Sequence, residues 1–188
     1  MRIAKYIANA GICSRRNAEK LILNKKVKIN GNLCVKVGTI IDKNDEVKVN
    51  EKIIKNNQIL RLWKLYKPIK YICTTKDPQK RKTVFSLIPK DYPRLISIGR
   101  LDYMSEGLLL FTNNGNFARK LELPSSNYTR IYKVCIRGKI EINDLKKINK
   151  GLTINKINYK KIKISKLIFR NNQTWLLVKL WEGKNREI

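Results

Sequence analysis

The hydrophobic period of this chain changes once within its first fifty residues, and that change constrains the fold more than any other feature. Ile3, Ala4, Ile7 and Ala8, then Ala18, Leu21 and Ile22, recur at helical spacing. Val27-Lys28-Ile29 and Leu33-Cys34-Val35 instead alternate, and they flank Asn30-Gly31. Asn-Gly between alternating runs is a strong hairpin signal, because both central residues of the favoured turn need positive φ. The pattern predicts a helix over Ile3–Asn9 ended by Gly11, and a second over Arg15–Leu23 capped by Ser14. Strands follow at 27–29, 33–35 and, after the Asp42–Asp45 turn, 46–49. Residues 1–49 therefore read as a compact module of two helices and a small sheet.

Residues 50–58 are polar, lack periodic signal and read as a linker. A second domain, 59–188, begins near Ile59. Its expected strands run over 60–65, 71–74, 95–98, 107–112, 132–136, 160–168 and 174–180, with short helices at 117–121 and 142–148. Many strands at hairpin spacing and few helices imply an α+β domain on a mostly antiparallel sheet.

The formal charge is +28, with 42 Lys and Arg against 14 Asp and Glu in 188 residues. Such an excess asks for a polyanionic partner, and both domains carry it. Heavy use of Lys, Asn and Ile also points to a compositional drift that contributes part of this charge. There is no histidine, which removes Ser-His-Asp and Cys-His triads and imidazole metal sites. Cys13, Cys34, Cys73 and Cys135 never form a CxxC and read as small buried hydrophobes in a reducing cytoplasm. Acids are too few and dispersed for a metal-dependent nuclease, so no metal ligands are expected. Charges interrupt every apolar run, so no membrane partner is expected. Met1–Arg16 has the charge pattern of a targeting peptide, but its apolar residues keep the spacing of a folded helix.

Among scarce acids, Asp102 stands out. It lies in Ile98-Gly99-Arg100-Leu101-Asp102-Tyr103-Met104-Ser105-Glu106-Gly107, between two apolar strands. An acid on such a loop is held in position and still reachable, as a nucleophile or base must be. On the residues alone, a turn-capping aspartate reads equally well. Tyr132 could be a core or edge aromatic, and Lys184 and Arg186 ordinary solvated charges. Arg100 could hold the Asp102 loop, contact phosphate, or do both.

Two resemblances add to this reading. Arg2, Ala4 and Lys5, the run Ala10-Gly11-Ile12-Cys13-Ser14-Arg15-Arg16 with Ala18 and Glu19, and Val27-Lys28-Ile29-Asn30-Gly31 resemble the S4 domain, an RNA-binding module. Gly99-Arg100-Leu101-Asp102 followed by Ser105-Glu106-Gly107-Leu108-Leu109-Leu110-Phe111-Thr112-Asn113 is similar to the signature of the small-subunit-type (RsuA-like) rRNA pseudouridine synthases. Lys67-Pro68, Arg130-Ile131-Tyr132-Lys133-Val134 and Glu182-Gly183-Lys184-Asn185-Arg186-Glu187-Ile188 extend that resemblance, with a lean toward the large-subunit branch.

The resemblance implies an S4 domain at 1–49 and an α+β pseudouridine synthase domain at 59–188. That domain would be C-terminally incomplete, since family members continue beyond the last motif. It implies an isomerase acting on ribosomal RNA or pre-ribosomal particles, with no cofactor, as a cytoplasmic monomer. Asp102 matches the catalytic aspartate, and Arg100, Tyr132, Lys184 and Ile188 are the expected substrate-binding residues. Tyr132 would stack on the target base, Lys184 would pair with the carboxylate, and Ile188 would line the pocket. Arg2, Lys5, Ser14, Arg15, Arg16, Lys20, Lys26, Lys28 and Asn30 are the expected RNA contacts. At the second helix start, backbone N–H groups and guanidinium forks converge on what a phosphate needs. The alternative is an RNA-binding or ribosome-assembly factor that keeps the fold without turnover.

Overall fold

The structure, a computed structural model, describes residues 1–154, 156–184 and 187–188. It divides into two compact units, Met1–Arg119 and Lys120–Ile188.

In the first unit, α1 (Ile3–Asn9) and α2 (Arg15–Leu23) form where the apolar spacing predicts them. Ser14 caps α2 by accepting a hydrogen bond from the Asn17 amide at 3.2 Å. Strands β1 (Val27–Ile29), β2 (Asn32–Leu33), β3 (Val47–Val49) and β4 (Lys52–Ile53) make an antiparallel sheet in the order β2-β1-β3-β4. Asn30 (φ +48°) and Gly31 (φ +83°) form the expected two-residue turn, which only such residues enter cheaply. The Asn30 side chain donates to Asp45 Oδ1 at 2.8 Å and accepts from the Glu46 amide at 2.9 Å, tying the hairpin to the start of β3. Ile3, Ile7, Ala18, Ile22, Val27 and Val47 fill the core between helices and sheet.

The segment 50–58 is more ordered than its composition suggests. Asn50 and Glu51 take positive φ and turn the chain into β4, and Ile54 is buried. The Tyr6 hydroxyl donates to the Ile54 carbonyl at 3.3 Å, and Gln58 Nε2 donates to Ala10 O at the end of α1.

A second antiparallel sheet, β5-β7-β6, comprises β5 (Leu62–Lys67), β6 (Ile96–Ile98) and β7 (Gly107–Thr112). Strand β5 starts and ends two residues later than predicted. Residues 71–74 are not a strand; they make one parallel bridge, Ile72 to Thr83. Val84, Leu95, Leu109 and Phe111 form the core of this layer. Asn113 prolongs the β5–β7 pairing past the end of β7, accepting from the Arg61 amide at 3.0 Å and donating to Ile59 O at 2.8 Å. The Asn114 side chain accepts from the Asn116 and Phe117 amides and so caps α3 (Gly115–Glu122).

In the second unit, β8 (Arg130–Arg137), β11 (Lys163–Arg170) and β12 (Gln173–Leu180) form an antiparallel sheet in the order β11-β12-β8. Helix α4 (Ile142–Lys150) and the hairpin of β9 (Leu152–Ile154) and β10 (Ile157–Tyr159) lie between β8 and β11 in sequence; the hairpin was not predicted. Leu176, Val178 and Leu180 are its buried core. Elements and sheets together make the chain α+β, as expected.

Candidate active site and RNA-facing residues

Asp102 sits on the loop from β6 to β7, and its side chain is exposed. The loop enters β7 through Gly107, whose φ of +118° is closed to side-chain-bearing residues. The preceding segment pins the loop at alternate residues. Cys73 Sγ lies 3.4 Å from both the amide nitrogen and the carbonyl oxygen of Leu101, accepting from one and donating to the other. The Lys70 amide donates to Tyr103 O at 2.7 Å. Lys67 Nζ donates to Ser105 O at 2.6 Å and to Pro68 O at 3.0 Å. A turn bond from the Ser105 amide to Asp102 O at 3.1 Å completes the frame.

Lys67 is wholly buried, 0% exposed. Burial pushes its ammonium below the usual lysine range, while Cys73, Asp102 and Glu106 act in the other direction. Next to this frame, Asp77 holds Arg81 in a two-pronged ion pair at 2.9 and 3.0 Å, and the guanidinium lies 6.0 Å from the Tyr103 ring centre. Arg81 draws the Asp77 carboxyl down to about 2. Arg100 is exposed, with no side-chain partner among the described residues.

The other expected substrate residues belong to Lys120–Ile188. Tyr132 is half-buried on β8 and packs against the Leu176, Val178 and Leu180 cluster. The Lys184 ammonium meets Glu182 Oε1 at 3.3 Å, donates to Asn158 O and lies 5.5 Å from the Tyr159 ring centre. Burial acts to raise the Glu182 carboxyl, but the Lys160 amide and the Lys184 charge outweigh it and hold it below its usual range. Glu187 and the half-exposed Ile188 line an apolar cavity of about 420 Å³ with residues of β8, α4, β10 and β12. Burial raises the Glu187 carboxyl, and its Oε1 is buried without a hydrogen bond. Asn185 and Arg186 of the last motif lie outside the described residues.

In the first module, Arg2, Arg15, Arg16, Lys20 and Lys26 are exposed, and Lys5 is half-buried. None of these side chains has a partner among the described residues. Lys28 is paired with Glu51 at 3.0 Å, Ser14 is occupied as the cap of α2, and Asn30 is occupied in its turn. Cys13 lies near Arg94; burial raises the Cys13 thiol and the Arg94 charge opposes it. One expectation fails: of the four cysteines only Cys34 is buried, and Cys135 is exposed on β8. Strand alternation turns its neighbours Val134 and Ile136 inward and Cys135 out.

Residues 61–188 match the family model described as RNA pseudouridylate synthase, and residues 1–47 match the S4 domain. The chain belongs to the RNA pseudouridine synthase family. An uncharacterized RNA pseudouridine synthase of Rickettsia typhi is 50% identical over 188 residues, spanning 100% of this chain and 76% of that protein. The ribosomal large subunit pseudouridine synthase B of Bacillus subtilis is 34% identical over 190 residues, spanning 100% of this chain and 77% of that protein. A solved structure described as a pseudouridylate synthase is similar with a TM-score of 0.63 and 25% identity, over 100% of this chain and 80% of that one. The synthase is thus an isomerase with an RNA-binding S4 domain. Among its described residues, no helix is long and apolar enough to cross a membrane.

The frame around the synthase's Asp102 was missed by sequence reasoning. Lys67 had a legible signal: Trp63, Leu65 and Lys67 share one face of β5 by alternation, so a lysine was due on the core side. Cys73 had none, because its partner Leu101 is 28 residues away in sequence.

Proposed function

We propose that the chain isomerises one or very few uridines of ribosomal RNA to pseudouridine, in the large subunit by preference, with Asp102 as the catalytic residue. The observation that carries this reading is the Asp102 carboxylate itself, exposed on a loop whose backbone is fixed on both sides of it. The names of the Bacillus subtilis protein and of a Buchnera aphidicola relative, 37% identical over 195 residues, support the large-subunit substrate. On this reading residues 1–49 dock on RNA, 59–188 carry the chemistry, and 50–58 join them. The synthase acts in the cytoplasm as a monomer.

The reaction balances within one nucleotide. The C1′–N1 bond breaks, the uracil turns, C1′–C5 forms, C5 loses a proton and N1 gains one from solvent. No oxidant or reductant enters. The target base must first leave its stack, and Tyr132 replaces the lost stacking, worth ~1–3 kcal/mol. Arg100 binds next to the flipped nucleotide, and Lys184 and Ile188 are further substrate-binding residues. Arg2, Lys5, Arg15, Arg16, Lys20 and Lys26 neutralise phosphates, with Ser14, Lys28 and Asn30 shaping that surface.

The test is tritium release from C5-tritiated rRNA and pre-ribosomal particles. Release that Asp102→Asn abolishes while RNA binding persists supports the reading. Tight binding with no release from any rRNA would establish the non-catalytic alternative.

A further inference from the structure

Three consecutive odd-numbered residues of the Asp102 loop are held by one short segment: Leu101 by Cys73, Tyr103 by Lys70 and Ser105 by Lys67. The pairing runs antiparallel, as a strand would, but two of its three rungs are side chains. At the two outer rungs a thiol and an ammonium stand where backbone groups would in a strand pair. Cys73 is the unusual member. One sulfur accepts the Leu101 N–H and donates to the Leu101 carbonyl, both at 3.4 Å, the long reach that sulfur's radius allows. Leu101 is the residue before Asp102, so these bonds set the direction in which the Asp102 Cα–Cβ vector leaves the backbone.

We infer that Cys73, with Lys67 at the far end of the same brace, is a positioning residue for the Asp102 carboxylate. The inference rests on the catalytic reading of Asp102. Cys73 does not touch the reacting atoms. It acts through the Leu101 backbone, while the Lys67 ammonium fixes the exit of the loop at Ser105. A carboxylate that must meet one atom of a flipped base gains from such fixing, since a displacement of about 1 Å can cost about 100-fold in rate. Alanine at 73 removes the rung without opening a large void. Serine keeps a donor and acceptor but reaches less far.

The experiment compares the full-length wild type with Cys73→Ala, Cys73→Ser and Asp102→Asn, following tritium release per folded molecule, RNA affinity, thermal melting and amide exchange at Leu101. The expected result for Cys73→Ala is a kcat lower by about tenfold with KM within about twofold. Leu101 amide exchange accelerates while the amides of β7 keep their protection, and Cys73→Ser restores most of the turnover. A purely structural role would lower the melting temperature and leave kcat per folded molecule as in the wild type, which would overturn the inference. Unchanged Leu101 exchange in Cys73→Ala would overturn it too. Asp102→Asn separates the two readings. If Asp102→Asn still turns over, or the wild type releases no tritium, the catalytic reading falls and takes the inference with it. If Asp102→Asn is inactive and Cys73→Ala is not impaired, the positioning role alone falls.

Discussion

Lys67 Nζ lies 2.6 Å from the carbonyl oxygen of Ser105, so a fully buried ammonium is spent on the backbone of the loop that carries Asp102. A buried cation is tolerated only when its donors are used, and Pro68 O takes a second one at 3.0 Å. Lys67→Met keeps the aliphatic stem and leaves both carbonyls without this donor. The expected cost is about 1–3 kcal/mol, read as a lower midpoint in urea with an unchanged slope.

The Asp77 carboxyl is held at about 2 against an ordinary 3.8 by the Arg81 guanidinium. A folded value below the unfolded one means that the pair stabilises the fold above pH 3.8 and loses that contribution as pH falls toward 2. Asp77→Asn removes the pH-dependent part. Melting curves of the two proteins should therefore differ at neutral pH and converge at the acid end of that window. Curves that stay parallel down to pH 2 would contradict the assignment.

Glu187 has the opposite sign. Burial raises its carboxyl above the ordinary 4.5, and Oε1 lacks a hydrogen bond, so the ionised group costs stability at neutral pH. Glu187→Gln keeps an acceptor for the Lys184 amide, which Oε2 serves at 2.8 Å. The variant should melt higher than the wild type at pH 7. That advantage should vanish below pH 4.5, where the carboxyl is protonated in both the folded and unfolded chain. An equal gain at all pH values would mean that charge is not the cause.

Arg15 and Arg16 open α2 beside the Ser14 cap, with no side-chain partner among the described residues. Replacing both with Ala should leave the melting temperature within about 1 °C, since exposed side chains away from special features contribute little. RNA affinity should fall, and the slope of log K against log salt should become shallower by about 1–2. An unchanged salt slope would take these residues out of the interface.

The helices and hairpin of residues 1–49 were legible because their punctuation is local: Gly11, Ser14 and Asn30-Gly31 each impose a backbone state on their own neighbours. Residues 50–58 were less legible. Two positive-φ residues without glycine, Asn50 and Glu51, turn the chain into β4, and a polar composition hides the one buried side chain, Ile54. Tyr71–Thr74 has strand-forming residues yet makes a single bridge, Ile72 to Thr83, and Cys73 reaches the Asp102 loop through its side chain. At the candidate site, the scarcity of acids and the flanking glycines singled out Asp102. Nothing local could show that Lys28 is paired with Glu51, 23 residues on, because that pairing depends on how the chain folds back through β3 and β4.

If Asp102 is the catalytic residue proposed above, the brace of 67–73 against 101–105 has a thermodynamic consequence for encounter with RNA. Ordering the backbone of a free loop costs ~1–2 kcal/mol per residue. Here that cost is met when the chain folds, and none of it is charged against association. What remains to be ordered at encounter is the nucleic acid and the long basic side chains around it. The entropy of association should accordingly track the stiffness of the RNA site more than that of the protein, and a preformed, flipped-out uridine should be captured with the smallest entropic loss.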